Sequence, residues 1–501
     1  MTNESQSEQL TFIADAPAEI GAAPARISIS EIGVDPEVYP RHEIDDRRAE
    51  RYAAVMRDGV QFPQIHVEVW PHANGDAPPK KYRVLDGAHT WTAYKKTGYE
   101  GELDVILVSL NGYDPLLYAA SRAIGPTELK EADAKETARR AYQKNPRLTG
   151  EEIARAVGRS RSVVNDYISD LRASIELEKD IKVFRMGLLG IPQDRIGDRL
   201  KEKQEWVSEH LGKLPESAIP INADLSRGFP VNQITARHAW PEPLVWAVAL
   251  QEKTDQLRFQ ELKWPIRTWD YWNWSDVDAR FGDEWPGRIP AQLVAHALYF
   301  FTKPGDLVFD PMAGGGVVPD VCLALNRQCW AFDMIDRPDI RPEIEPYHWA
   351  FGNMAWPVNS KAKPDLIFFD PPYFTKKEEA YEDLAEGSAP PISSLSRADY
   401  LAFFREFFLL CAENTKNTTR LAFLNADWRD FQSTPALNES PKDAITIRHY
   451  WDLLEETGWE VTHRIECPMS TERFSGNMVS HMQANRTIGV VGRTLLIARR
   501  R

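Results

Sequence analysis

Two short apolar runs, each ending in Asp-Pro, constrain this chain more than any other feature. The first is Leu307-Val308-Phe309-Asp310-Pro311, followed by Met312-Ala313-Gly314-Gly315-Gly316. The second is Leu366-Ile367-Phe368-Phe369-Asp370-Pro371-Pro372-Tyr373. Short runs of β-branched and aromatic residues read as buried parallel strands. Each would deliver a carboxylate to its C-terminal edge, where open α/β sheets bind their ligands. Three residues without a Cβ let the backbone turn sharply and approach a ligand closely, although such a run also suits an ordinary loop. A helix is expected over Val317 to Asn326. Cys329-Trp330-Ala331-Phe332-Asp333 then reads as a second strand, ending in an acid at an offset that suits ribose hydroxyls.

In Asp370-Pro371-Pro372-Tyr373 the prolines stiffen the turn and remove amide donors that would otherwise need partners. The Asp370 side chain and a nearby carbonyl can accept hydrogen bonds from an exocyclic amine, and Tyr373 and Phe374 offer ring faces to a base. The pair of motifs resembles the amino-methyltransferases of DNA, which act on adenine N6 or cytosine N4. Their first motif reads approximately Asp-Pro-Phe-x-Gly-x-Gly, and their catalytic motif Asp/Asn/Ser-Pro-Pro-Tyr/Phe. Here the catalytic motif is complete, while the first carries Met312 for Phe and Gly315 for the usual Ser or Thr.

The resemblance implies S-adenosyl-L-methionine as cofactor, held by Asp310, Pro311, Met312, Ala313, Gly314 and Gly316. Asp333 would meet the ribose, and Asn353, at the end of an expected strand Trp349–Met354, the adenine. A helix beginning at Gly287 and running to Phe301 would carry Pro290 against the methionine end. Asp370, Pro371, Pro372 and Tyr373 would be catalytic, with Tyr373 and Phe374 stacking on the target base. Asp rather than Ser at the motif's head inclines the reading to adenine N6, with cytosine N4 open.

Further upstream, Ile65–Trp70 and Tyr82–Leu85 read as a hairpin around Asn74-Gly75-Asp76. Asp86-Gly87-Ala88-His89-Thr90 follows, then a helix through Tyr94 and a strand at Leu103–Val108. This order resembles the N-terminal domain of ParB-like partition proteins and their sulfiredoxin-like relatives. Thr90 and Thr92 stand where that family carries arginines, so phosphate binding and CTP hydrolysis are not carried over. Asp86 and His89 read equally well as functional groups or as a turn aspartate and a capping histidine.

Leu148 to Ser160 reads as an N-capped helix with a glycine turn. The next helix, Ser160 to Arg172, sets Val163, Val164, Tyr167, Ile168 and Leu171 on one face. That is the helix-turn-helix pattern, whose second helix enters the major groove; a plain helical hairpin is the alternative. Arg159, Arg161, Ser162 and Asn165 are the DNA-contacting candidates, with Arg161 suited to guanine and Asn165 to adenine. Ile191–Leu200 loosely repeats the opening and would be a second such unit. The aromatic run Trp264–Trp285 reads more readily as a packed cap than as a base-stacking platform.

The expected architecture is multidomain α/β. It comprises a disordered tail (1–25), a ParB-like α+β domain (26–125), a helical helix-turn-helix region (126–214), a proline-punctuated linker (215–243) and a class I, Rossmann-like methyltransferase domain (244–501). Lys376–Pro391 reads as a mobile loop over the site, and the last two strands as a hairpin. The net charge of −14 argues against a protein that coats nucleic acid indiscriminately, but leaves room for a local basic face. Four scattered cysteines lack metal spacing and fit a reducing, prokaryotic or phage-encoded cytoplasmic setting without structural zinc. No signal pattern or apolar span of membrane length is present. Double-stranded DNA is the expected partner and a homodimer a candidate assembly; no metal is expected. RNA or protein methylation, and a ParB-like regulator with a subsidiary methyltransferase domain, are the rival readings. A nicotinamide dehydrogenase fits worst, because the Gly-x-Gly-x-x-Gly spacing is missing.

Overall fold

The structure is a computed structural model that describes residues 20–71, 78–123, 129–274, 277–374, 391–429, 444–468 and 476–501. It divides into two compact units, residues 1–177 and 178–501.

The first unit opens with strands β1 (Gly21–Ser28), β2 (Ile32–Gly33), β3 (Ile65–Val69), β4 (Tyr82–Asp86) and β5 (Glu102–Ser109), in the order β1-β5-β3-β4-β2. Residues 21–25, expected in the tail, lie in β1, paired antiparallel with β5 from Gly21↔Ser109 to Ser28↔Glu102. The Gly/Ala/Pro-rich text hides this strand because its hydrogen-bond partner lies far away in sequence. The expected turn at Asn74-Gly75-Asp76 falls outside the described residues. Ile27, Ile65, Val67, Val84, Leu103 and Val105 form the core of this sheet.

Three helices follow in the chain: Glu131–Lys144, Gly150–Val157 and Arg161–Leu188. The middle one starts with a capping box in which Thr149 and Glu152 satisfy each other's backbone amides, which supplies partners for otherwise orphaned donors. It stops at Gly158, whose φ of +66° lies in the left-handed region glycine tolerates. Ala138, Ile153, Val157, Val164 and Ile168 lock the three together. The third helix runs well past the expected end at Arg172.

The second unit is organised on a seven-stranded sheet. Its strands are β6 (Leu307–Asp310), β7 (Gln328–Asp333), β8 (Ile344–Pro346), β9 (Leu366–Phe369), β10 (Arg420–Asn425), β13 (Trp459–Glu466) and β14 (Thr494–Arg500), and β11 (Trp428–Arg429) pairs separately with β12 (Ala444–Ile445). The sheet order is β13-β14-β10-β9-β6-β7-β8. All pairs are parallel except those of β14, which runs antiparallel to both β10 and β13. That is the class I methyltransferase sheet.

The strands carry apolar side chains on both faces, as a sheet covered on both sides requires. Val308, Phe368, Ala422 and Ile497 pack on one layer with Leu293, Val294 and Val321. Phe309, Phe369, Phe423 and Leu496 pack on the other with Phe403, Phe404, Phe407 and Phe408 of the helix Arg397–Asn414.

Several expectations are corrected here. Residues 215–243 are not an irregular linker: Leu214–Ser226, Val231–His238 and the start of Glu242–Leu250 are helical. Pro230 and Pro241 are N-caps and Pro215 and Pro243 lie in first turns, where a missing N–H costs nothing, while Pro220 sits inside the helix Leu214–Ser226. The segment Ile191–Leu200 is not a second DNA-reading unit. Its helix Gln193–Leu200 buries Ile196 in the methyltransferase core, and its Arg195 and Arg199 pair with Glu345 and Asp336. The helix expected from Gly287 starts at Ala291, with Pro290 as its N-cap. No strand spans 349–354; the third strand is β8, earlier in the chain. The last two strands, β13 and β14, do pair antiparallel as expected, and the connection between them carries a helix, Gly476–Asn485.

Candidate active site

The carboxylates Asp310, Asp333 and Asp370 come from the ends of β6 and β7 and the residue after β9, and all three line one cavity. The parallel register makes this unavoidable: Asp310 lies beside Ala331 and Phe309 beside Ile367, so three adjacent strands end on one edge.

Asp310 is buried; its Oδ1 accepts the Met312 amide at 3.3 Å, while Oδ2 has no protein hydrogen-bond partner. Burial, reinforced by the negative charges of Asp333 and Asp370, pushes its carboxyl well above the usual carboxylate range. Asp333 accepts the Gly314 amide on Oδ2 at 2.8 Å and the Ile335 amide on Oδ1 at 3.0 Å. Its pKa is also raised, because burial outweighs these amides.

The glycine run has a packing reason as well as a conformational one. Gly316 has φ +84°, and a Cβ there would come within 2.9 Å of the Arg341 guanidinium. A Cβ on Gly314 would meet the Trp285 indole at 2.8 Å. Trp285 therefore sits directly on the turn, with the Arg337 guanidinium 4.4 Å from its ring centroid. Arg337 and Arg341 also pair with Asp283, fixing the segment that covers the glycines.

At the catalytic motif, the Tyr373 hydroxyl donates to Asp370 Oδ1 at 2.9 Å. Desolvation, then the Asp370 charge, drives the Tyr373 phenol well above its ordinary pKa, with the neighbouring Arg493 guanidinium opposing them. Tyr400, anchored in the aromatic layer, donates its hydroxyl to the Pro372 carbonyl at 2.9 Å.

Of the expected cofactor residues, Asp310, Pro311, Met312, Ala313, Gly314 and Asp333 line the cavity; Gly316, Pro290 and Asn353 do not. Pro290 caps a helix, and Asn353 is exposed in the turn after β8. Of the expected catalytic residues, Asp370 and Pro372 line the cavity, while Pro371 and Tyr373 stand outside its lining. Phe374 is no stacking surface: it is buried between Tyr400 and Trp428, with ring centroids 5.1 and 5.0 Å away. Trp285, Pro286, Met334, Ile335 and Tyr347 to Trp349 line the cavity without having been expected there, and Gly287 to Ile289, from the segment expected against the methionine end, line it too. The aromatic run containing Trp285 was a usable signal; the residues after β8 carried none. Trp264, Trp272 and Phe281 from that same run are buried core, as a packed cap requires.

The helix-turn-helix candidates separate in the same way. Arg161 and Ser162 are exposed at the start of the third helix. Arg159 is committed internally, donating to the Leu129 carbonyl at 2.7 Å and to Glu131 at 3.3 Å. Asn165 is partly buried, accepts from Arg172 at 3.3 Å, and stands where a Cβ on Gly150 would collide with it. Arg159 and Asn165 thus hold the helices together. Asp86, the earlier turn acid, pairs with Arg122 at 3.3 Å, and His89 Nε2 accepts the Asp45 amide at 3.2 Å.

A parallel sheet with reversed β14 and a glycine loop beside an acidic cavity defines a class I methyltransferase. Residues 192–337 match the family model of N6/N4-type DNA methylases, described as DNA methylase, and residues 140–174 match that of winged helix-turn-helix DNA-binding domains. The chain thus carries an N6/N4 DNA methylase domain, an S-adenosylmethionine-dependent enzyme, together with a DNA-binding winged helix-turn-helix. The methylase match ends before Asp370.

Solved structures similar to parts of the chain include a C-terminally truncated chromosome-partitioning protein ParB from Caulobacter crescentus complexed with CTP-gamma-S (21% identity, 30% of this chain and 77% of that one, TM-score 0.18). TrmN from Thermus thermophilus shares 14% identity over 42% of this chain and 49% of its own, with TM-score 0.24. A precorrin-6y C5,15-methyltransferase from Geobacter metallireducens shares 10% over 45% of this chain and 97% of its own, with TM-score 0.26. No curated protein matches the chain. Among the described residues no helix is long and apolar enough to cross a membrane.

Proposed function

We propose that this enzyme transfers a methyl group from S-adenosylmethionine to the N6 amino group of adenine in double-stranded DNA. The observation that carries the reading is Asp370 lining the same cavity as Asp310 and Asp333, so that cofactor and target amine can meet at one strand edge. The Asp-Pro-Pro-Tyr form of the motif is what favours adenine over cytosine.

The residues present fit the cofactor. Asp310 Oδ2 is a buried acceptor without a protein partner, suited to a cationic ammonium group. Asp333 faces the same cavity with lone pairs left after its two amide contacts. The bound cofactor supplies an electrophilic methyl group on a sulfonium. An exocyclic amine is a poor nucleophile because its lone pair is delocalised into the ring. Asp370 accepts one of the amine's protons in a hydrogen bond, which localises that lone pair toward the methyl group. The Tyr373 hydroxyl holds Asp370 Oδ1, and the Tyr400 hydroxyl, by gripping the Pro372 carbonyl, fixes the turn. Positioning of this kind supplies most of the acceleration. The base must leave the duplex to reach the cavity; Arg161 and Ser162, exposed on the helix-turn-helix, are the residues offered for contact with DNA.

The test is methyl transfer from labelled S-adenosylmethionine to unmethylated genomic DNA, read by nucleoside mass spectrometry beside Asp370→Ala. N6-methyladenine formed only by the unsubstituted enzyme supports the reading. N4-methylcytosine would overturn the choice of base, and absence of label in DNA would overturn the choice of substrate.

A further inference from the structure

The parallel course of β10 and β13 puts the end of β13 at the same edge as the active-site carboxylates. Glu466, Thr494 and Asn425 lie in one register row across β13, β14 and β10. The chain between β13 and β14 therefore emerges beside the catalytic motif. Its base is closed by Cys467 and Arg493: the Cys467 amide donates to the Arg493 carbonyl at 2.7 Å, and Arg493 Nε donates to the Cys467 carbonyl at 3.1 Å. Arg493 is also the guanidinium that faces Tyr373.

The described residues of this connection from Gly476 onward pack little against the rest of the unit. The helix Gly476–Asn485 has ten residues and buries only Met482, yet isolated helices shorter than roughly 12–15 residues are marginal in water. After it, Ile488 is 60% exposed and Val491 42%. From Gly476 to Arg493 there is no Asp or Glu, while His481, Arg486 and Arg493 are present, in a chain of net charge −14. Arg486 is exposed on the turn that ends the helix. Arg493 is buried at the base, which leaves Arg486 as the exposed arginine. An acid-free segment with an exposed cation and bare aliphatic side chains has the chemistry of a nucleic-acid contact: a cation for phosphate, and apolar groups for the space a displaced base leaves.

We propose that the segment Gly476–Arg493 is a DNA-contacting arm, in which Arg486 binds a phosphate flanking the target and Ile488 and Val491 press against the duplex where the base is withdrawn. This rests on the reading of the enzyme as a DNA methyltransferase.

Two variants test it in the full chain. Affinity for a random-sequence 30-base-pair duplex is followed by fluorescence anisotropy over a series of salt concentrations. Arg486→Ala should lower the slope of log affinity against log salt by about 0.9, the loss of one phosphate contact, with cofactor affinity unchanged and Arg486→Lys restoring the slope. Ile488→Ser combined with Val491→Ser should reduce methylation of duplex DNA about tenfold, but leave methylation of the denatured strands unchanged, because only the duplex requires base withdrawal. An unaltered slope together with an equal effect on both DNA forms would overturn the arm. Failure of the unsubstituted enzyme to methylate any DNA would instead overturn the function on which the arm rests.

Discussion

Tyr373 donates its hydroxyl to Asp370 Oδ1 across 2.9 Å, so the last residue of the catalytic motif orients the first. Tyr373→Phe keeps the ring and removes the hydroxyl, and with it this bond and the contact with Arg493. A hydrogen bond to a charged group contributes about 1.5–3 kcal/mol, so kcat should fall roughly ten- to a hundredfold while the KM for DNA changes little. Steady-state kinetics on genomic DNA checks this. A rise confined to KM would assign Tyr373 to binding instead.

Asp310 couples stability to cofactor binding in opposite directions. Its pKa is raised by burial and by two neighbouring carboxylates, so ionisation opposes folding. That contribution is intact below the unfolded carboxylate pKa and is lost as pH rises toward the folded value. Asp310→Asn should therefore raise the melting temperature of the cofactor-free protein at neutral pH. The same change should weaken S-adenosylmethionine binding by tenfold or more. Thermal scans with and without cofactor separate the two effects.

His296 predicts acid lability. It is buried, with Nδ1 bonded to the Gln292 carbonyl at 2.6 Å and Nε2 accepting the Arg267 amide at 3.0 Å. Those partners fit the neutral ring, and burial lowers its pKa to about 4. The stability it contributes is complete above the unfolded histidine pKa near 6.5 and is lost as pH falls toward 4, amounting to roughly 3 kcal/mol. Denaturant titrations across this window should show the decline, and His296→Gln should flatten it.

Arg159 and Arg161, two residues apart, should behave as different kinds of residue. Arg159→Ala removes the ties to Leu129 and Glu131 and should lower the stability of the helical region by about 1 kcal/mol. Arg161→Ala should leave the melting temperature alone and weaken duplex binding with a smaller salt dependence. Calorimetry and anisotropy on the same two proteins distinguish them.

Gly316→Ala tests the cofactor turn. The backbone there has φ +84°, which costs a side-chain-bearing residue roughly 1–3 kcal/mol, and the new methyl group would press on Arg341. Lower thermal stability and weaker cofactor binding are expected together, read by thermal shift.

The sequence alone determined the features written in consecutive residues. The apolar runs into Asp310, Asp333 and Asp370, the glycine turn and the capped helix at Thr149 are local patterns, governed by periodicity, backbone freedom and capping. The sheet on which those acids meet follows from them. Tertiary structure decided what depends on distant partners. It seated Trp285 on Gly314 and enclosed Phe374 between Tyr400 and Trp428. It also drew Arg159 and Asn165 into the helix packing, and made 215–243 largely helical, with Pro215, Pro230, Pro241 and Pro243 at helix starts. Residues after β8 entered the cavity, and Asn353 was left outside it, because a short strand ended earlier than its text suggested. The physical reason is common to these cases: a side chain's role is set by what packs against it, and those neighbours lie far away in the chain.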